Sequence, residues 1–159
     1  MKTMATTTLT SEYLMTLHTP GAGAPHAVDG SLFIYRGGAD GWARGPRING
    51  AIIQPTADWL RVMPNGSLRV DARMTVKTDD GALVHVSYNG VISMTPANFA
   101  RMSQGDTLTA NDMYFMIAPT FQTGHEKYAW LNHLQAVGKV AGIKGGDDGY
   151  VTYDVFAVN

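Results

Sequence analysis

No cysteine occurs among the 159 residues, which excludes disulfides and thiolate chemistry and suits a cytoplasmic protein. Charge is scarce as well. Charged residues make up 16% of the chain and the formal net charge is -1. There is no basic field for nucleic acid and no polybasic patch for a membrane surface, so the expected partner is a small molecule. Residues 1–10, "MKTMATTTLT", hold one lysine and no apolar run. They fail as a signal peptide or membrane span and are expected to be a loose tail ahead of one domain over residues 11–159. The five histidines, His18, His26, His85, His125 and His133, share no ligand spacing, so no metal is expected. A Walker loop, a nucleophile elbow and a dinucleotide fingerprint are all missing, and no cofactor is expected.

What the chain does have is 18 glycines, spaced between β-rich runs. The runs are 13–18, 31–36, 47–54, 59–63, 68–78, 82–93, 113–121, 131–143 and 150–158. "PNG" at 64–66, "DDG" at 79–81 and "GGDDG" at 145–149 punctuate them as turns. Helix is expected only in "TPANFARMSQG", with Thr95 as N-cap, Pro96 in the first turn and Gly105 beyond the end. Eight or nine strands in one small domain must protect their edges, and closure into a barrel removes edges altogether. The expectation is therefore an all-β closed antiparallel barrel of about eight strands, lipocalin-like in holding one small ligand, with one short helix. A two-sheet sandwich is the alternative.

The segments "GPRING" (45–50), "ADWLRVMPNGSLRVDARMTVKTDDGALVHV" (57–86), "MYFMIAPTFQTGHEKYAWLN" (113–132) and "VTYDVFAV" (151–158) resemble the family known as domain of unknown function 3237. The resemblance implies a closed antiparallel barrel like that of allene oxide cyclase, usually oligomeric, and implies little about chemistry. The chain departs from the family pattern at "RGGADGWARG" (36–45) and "PTADW" (55–59), so no substrate class carries over.

In the hairpin across "DDG", a two-residue turn at Asp80-Gly81 sets Arg73 opposite Tyr88 and turns Asp71, Arg73 and Tyr88 toward the barrel interior. A three-residue loop inverts these faces. On the first register Val70, Ala72 and Met74 lie outside, which with Val91 suggests a homodimer or higher homo-oligomer. Asp71 and Arg73 project the same way and are expected to pair, as part of a site or as a salt bridge in the wall. Asp58, without an adjacent arginine, is a candidate general base with a raised pKa, or else a turn cap. Tyr88 offers a hydroxyl to a carbonyl or phenolate oxygen, or is a core tyrosine. Candidate substrate-binding residues are Trp59, Arg47 as an anion anchor, Tyr114 (of which, with Phe115, only one can face inward), and Tyr128, Trp130 and Asn132. The last three form a lid over the mouth, or Trp130 plugs a barrel end.

The function expected from this set is a cofactor-free lyase or isomerase acting on a small hydrophobic, aromatic and oxygenated metabolite, for example by aldehyde-releasing carbon-carbon cleavage. Asp58 or Asp71 would abstract the proton, and Arg73 and Tyr88 would hold the oxyanion. A non-catalytic binding or carrier barrel is the alternative. A filled barrel acting as an accessory subunit is the third reading.

Overall fold

The computed structural model describes residues 6–159. Residues 6–10 are exposed and lie outside any strand, although Thr10 and Asn159 exchange backbone hydrogen bonds at 2.9 and 3.0 Å. The remainder of the expected tail, residues 1–5, lies outside the described residues.

In chain order the elements are β1 (Ser11–Pro20), β2 (His26–Ala27), β3 (Leu32–Arg36), β4 (Trp42–Arg44), β5 (Asn49–Val62), β6 (Leu68–Thr78) and β7 (Leu83–Ser93). They continue with α1 (Pro96–Ser103), β8 (Thr107–Leu108), β9 (Tyr114–Gln122), a 3-10 helix (Glu126–His133), β10 (Gln135–Lys144) and β11 (Tyr150–Val158). Antiparallel pairing runs β1-β4-β5-β6-β7-β9-β10-β11 and returns to β1, closing an eight-stranded barrel. β3 continues the lane of β4 along the second half of β5, β2 pairs with β3, and β8 pairs with the far end of β10. Closure removes the long bare edges that so many strands would otherwise present.

The runs expected separately at 47–54 and 59–63 are one strand, β5, whose register with β6 shifts between Ile53 and Ala57 at the cis bond Gln54-Pro55. The run expected as strand from residue 131 begins as 3-10 helix, and β10 starts only at Gln135. Helix α1 lies where the sequence puts it. The Thr95 hydroxyl accepts from the Asn98 N–H at 3.2 Å, Pro96 occupies the first turn, and Gly105 takes a φ of 93° after the end.

The hairpin between β6 and β7 corrects the two-residue turn. The Thr78 N–H donates to the Ala82 carbonyl at 2.9 Å and the Gly81 N–H to Thr78 at 2.9 Å, so Asp79, Asp80 and Gly81 form a three-residue loop. Gly81 carries a φ of 90° at the third position, a left-handed conformation that glycine reaches without steric cost. Ala72 therefore pairs with Tyr88, and Arg73 with Ser87. Val70, Ala72 and Met74 face the core, and Asp71 and Arg73 face outward. With those three apolar residues inside, the argument for a second subunit drawn from them lapses.

One half of the barrel is filled. Ile48, Val76, Val84, Val86, Leu131 and Val140 are fully buried at the hairpin end, each contributing about 1.5–3 kcal/mol by leaving water. Toward the other end, Ala72 and Tyr88 occupy the inner positions and the interior opens.

Candidate active site in the barrel mouth

Mostly apolar side chains line the open half, a cavity of about 480 Å³, within the roughly 300–1,000 Å³ usual for small-molecule sites. Leu60, Leu68, Met74, Ile92, Phe115 and Val151 form its wall, and Phe99 and Met102 of α1 stand at its rim. The polar groups converge on one place. Asp58 of β5 lies directly opposite Ala72 of β6, which lies opposite Tyr88 of β7, so all three share the inner face. Tyr35 of β3 is opposite Asp58 on the other side and also lines the cavity. Tyr153 of β11 completes the group, its ring set edge-on to those of Tyr88 and Phe115 at centroid distances of 5.7 and 5.3 Å.

Burial in this apolar space, together with the nearby Asp71 charge, lifts the Asp58 pKa from 3.8 to about 6, against the restraint of a 3.0 Å hydrogen bond from the Asp71 backbone N–H to Oδ1. Burial also pushes the Tyr88 and Tyr153 hydroxyls far above the ordinary phenol range, and the Asp58 charge adds to that. The two phenols share one corner of the cavity, packed edge to face. At neutral pH the site thus presents one ionised carboxylate beside protonated phenols. Among the described residues, no group of three or more metal-ligating side chains comes together.

Of the residues singled out from sequence, Asp58 and Tyr88 meet here and the others do not. Asp71 and Arg73 pair as expected, at 3.6 Å, but on the outer wall with side chains 45% and 53% exposed. Trp59 is outside with them, its ring 5.5 Å from the Arg73 guanidinium, because it neighbours the inward Asp58 on a strand of period two. Tyr114 is 60% exposed, and Phe115 takes the inward position. Arg47 stacks on Trp130 at 3.6 Å in a shallow groove at the hairpin end, away from the cavity.

The "HEKYAWLN" segment plugs the end opposite the mouth and is no lid. Leu131 and Tyr128 are buried in the core there, and the Tyr128 hydroxyl donates to Asp80 Oδ1 at 2.8 Å. Asn132 is occupied with Thr123, accepting its N–H at 2.8 Å and donating to its carbonyl at 2.9 Å. The sequence reading missed Tyr153 and Tyr35. Tyr153 alternates with Val151 and Val155 in "VTYDV", which placed it on the apolar, inward side of its strand all along.

The barrel is shared with proteins from distant bacteria. A UPF0311 protein of Rhodopseudomonas palustris is 31% identical over 64% of this chain and 66% of its own length. Its crystal structure, described as a conserved protein of unknown function, superposes with a TM-score of 0.85 over 98% of this chain and all of that one, at 27% identity. A UPF0311 protein of Clostridium acetobutylicum is 30% identical over 59% of this chain and 60% of its own. These sequence matches thus span no more than about two thirds of the curated relatives. A structure described as a beta-barrel like protein from Acinetobacter baumannii covers 99% of this chain and all of its own at 26% identity, with a TM-score of 0.74. Residues 10–158 match the model of the protein of unknown function family DUF3237, and the chain belongs to that family.

Proposed function

We propose that this protein is a cofactor-free acid–base lyase or isomerase whose substrate is a small, hydrophobic, oxygenated aromatic molecule held in the barrel cavity. The observation that carries the reading is the placement of Asp58. A carboxylate with a pKa near 6, set in an apolar cavity beside two protonated phenols, suits a general base poised close to neutral pH. Asp58 takes a proton from a carbon or hydroxyl of the substrate. Electron density moves to the substrate's carbonyl or ring oxygen, where the Tyr88 hydroxyl donates a hydrogen bond, its ring held by the edge-on Tyr153. Returning the proton to another atom completes an isomerisation or ring closure. From a deprotonated hydroxyl, the oxygen lone pair forms the aldehyde carbonyl as the carbon-carbon bond breaks, its electron pair passes to the ring carbon, and that carbon takes the proton back from Asp58. Arg73, on the outer wall, has no part in either.

The test is exchange of carbon-bound hydrogen for deuterium in a panel of hydroxyaryl ketones and enones, followed by proton NMR in D2O. The wild type is expected to exchange at least one panel member, and Asp58→Asn to lose about two to four orders of magnitude of that rate with its fold intact. Binding without exchange across the panel would replace this reading with that of a carrier.

A further inference from the structure

The polar equipment of the cavity is unusual in its sign. Asp58 is the carboxyl on the inner face of its wall, while Tyr35, Tyr88 and Tyr153 line it with their phenol rings. The two cations that touch the cavity, Arg36 and Lys144, lie at its rim and are engaged there. Arg36 Nη2 donates to the Ala22 carbonyl at 3.1 Å, and Lys144 is paired with Asp148. Arg36 and Lys144 pair with Ala57 and Tyr150, which border the mouth with them, one position along their strands from the inward Asp58 and Val151. Asp147 adds a further negative charge at the same rim.

A ligand filling the cavity must put its apolar body against Leu60, Leu68, Met74, Ile92, Phe115 and Val151, where an unpaired polar group costs several kcal/mol. Its oxygen therefore goes to the Asp58–Tyr88 end. A hydroxyl there donates to the carboxylate and accepts from a phenol. A carboxylate at the same place meets a like charge in a low-dielectric space, with no cation to offset it.

We infer that Asp58 makes the cavity a filter for uncharged ligands: neutral hydroxy- and keto-aromatics bind with their oxygen at the Asp58–Tyr88 end, and the corresponding carboxylates enter only together with a proton. This rests on the reading of the cavity as a small-molecule site, and it names the substrate class as neutral rather than acidic or phosphorylated. The groups facing Asp58 are Tyr35 from β3, Tyr88 from β7 and Tyr153 from β11, with the Asp71 charge behind the wall. None is a cation that could accept the anion instead.

The experiment is isothermal titration calorimetry of the full chain with 2-naphthol and 2-naphthoate, between pH 6.5 and 8.5, in pairs of buffers that differ in ionisation enthalpy. For 2-naphthol the affinity is expected to change less than about threefold across the range, with no net proton uptake. For 2-naphthoate it is expected to fall about tenfold per pH unit, close to 100-fold over the range, with one proton taken up per ligand bound. Asp58→Asn should flatten the naphthoate profile, and Asp71→Asn, which removes a neighbouring charge but not the titrating group, should keep its tenfold-per-unit slope.

A naphthoate affinity that is flat with pH, or binding without proton uptake, would place the anion at the rim and overturn the inference. So would an absence of 2-naphthol binding. The wild-type proton count stands whether or not Asp58→Asn folds. Discrimination without any deuterium exchange would sink the catalytic reading and leave this one intact.

Discussion

Asp58 and Tyr88 come from strands that do not touch, yet each pairs directly with the same residue, Ala72, from opposite sides. Neighbouring strands lie about 4.8 Å apart, so the two backbones are separated by about 10 Å across the inner face of β6. The methyl group between them leaves a slot one side chain wide, walled by a carboxylate on one side and a phenol on the other. The acid–base chemistry proposed here needs a reacting atom within reach of both groups, and this triplet supplies that place.

Holding Asp58 there works against the fold above pH 6. Its folded pKa is raised from 3.8 to about 6, so the native state binds the proton more tightly than the unfolded chain. The stability that protonation confers is fully present below pH 3.8 and is lost as pH rises through 6. Asp58→Asn keeps an oxygen for the Asp71 N–H and removes the charge. Urea unfolding at pH 8 is expected to find the variant more stable than the wild type by up to about 3 kcal/mol, a gap that closes by pH 4. Equal stability at both pH values would mean that Asp58 is solvated and its carboxyl ordinary.

The pair on the other side of the wall should matter little. Asp71 and Arg73 are half exposed, and exposed ion pairs contribute about 0–1 kcal/mol. Asp71→Asn and Arg73→Lys are expected to change unfolding free energy by less than about 1 kcal/mol and to leave 2-naphthol affinity within twofold. A large loss of affinity in Arg73→Lys would return that arginine to the site.

The barrel was legible because glycine-bounded runs of alternating residues admit few closed architectures, and α1 was legible because Thr95, Pro96 and Gly105 carry its cap signals. The inner and outer faces of β6 were not. Both "PNG" and "DDG" end in a glycine with positive φ, 83° at Gly66 and 90° at Gly81, and both are third residues of three-residue loops. Read as a two-residue turn, the Asp-Gly pair slips the register by one, and one residue of slip exchanges every face. That single choice put Asp71 and Arg73 inside and Ala72 outside. Asp58 survived because its assignment did not depend on the hairpin. The sequence left lid and plug both open for the 3-10 segment, because aromatic residues at close spacing look the same whether they cover a mouth or fill an end.

That plug is tied to the hairpin through Asp80, which accepts from the Tyr128 hydroxyl, from Lys127 and from the Thr78 hydroxyl, the last at 2.6 Å. The Lys127 ammonium, first among these donors, holds the Asp80 carboxyl well below the usual carboxylate range. A depressed carboxylate contributes stability above its unfolded pKa of 3.8 and loses it as pH falls further. Asp80→Ala is expected to lower the melting temperature at pH 5 and to approach the wild type as both are taken toward pH 2. Scanning calorimetry at the two pH values reads the difference. A gap that is constant with pH would assign the loss to packing alone.

The slot over Ala72 allows the sharpest test of the site. Ala72 is almost fully buried, yet its side chain lines the cavity, so a larger residue has open space ahead of it rather than packed neighbours alone. Ala72→Leu adds three heavy atoms between Asp58 and Tyr88. Overpacking of a tight core costs about 1–3 kcal/mol, and the adjoining cavity should hold the cost to the lower end of that range. The variant is therefore expected to fold, with a melting temperature within several degrees of the wild type. It should bind 2-naphthol at least tenfold more weakly and show no deuterium exchange, since no ligand atom can then touch carboxylate and phenol together. Ala72→Ser, which fills little, is the control and should bind as the wild type does. Unchanged 2-naphthol affinity in a folded Ala72→Leu would show that ligands sit nearer the mouth, against Phe99 and Met102, and that Asp58 and Tyr88 are not jointly the site.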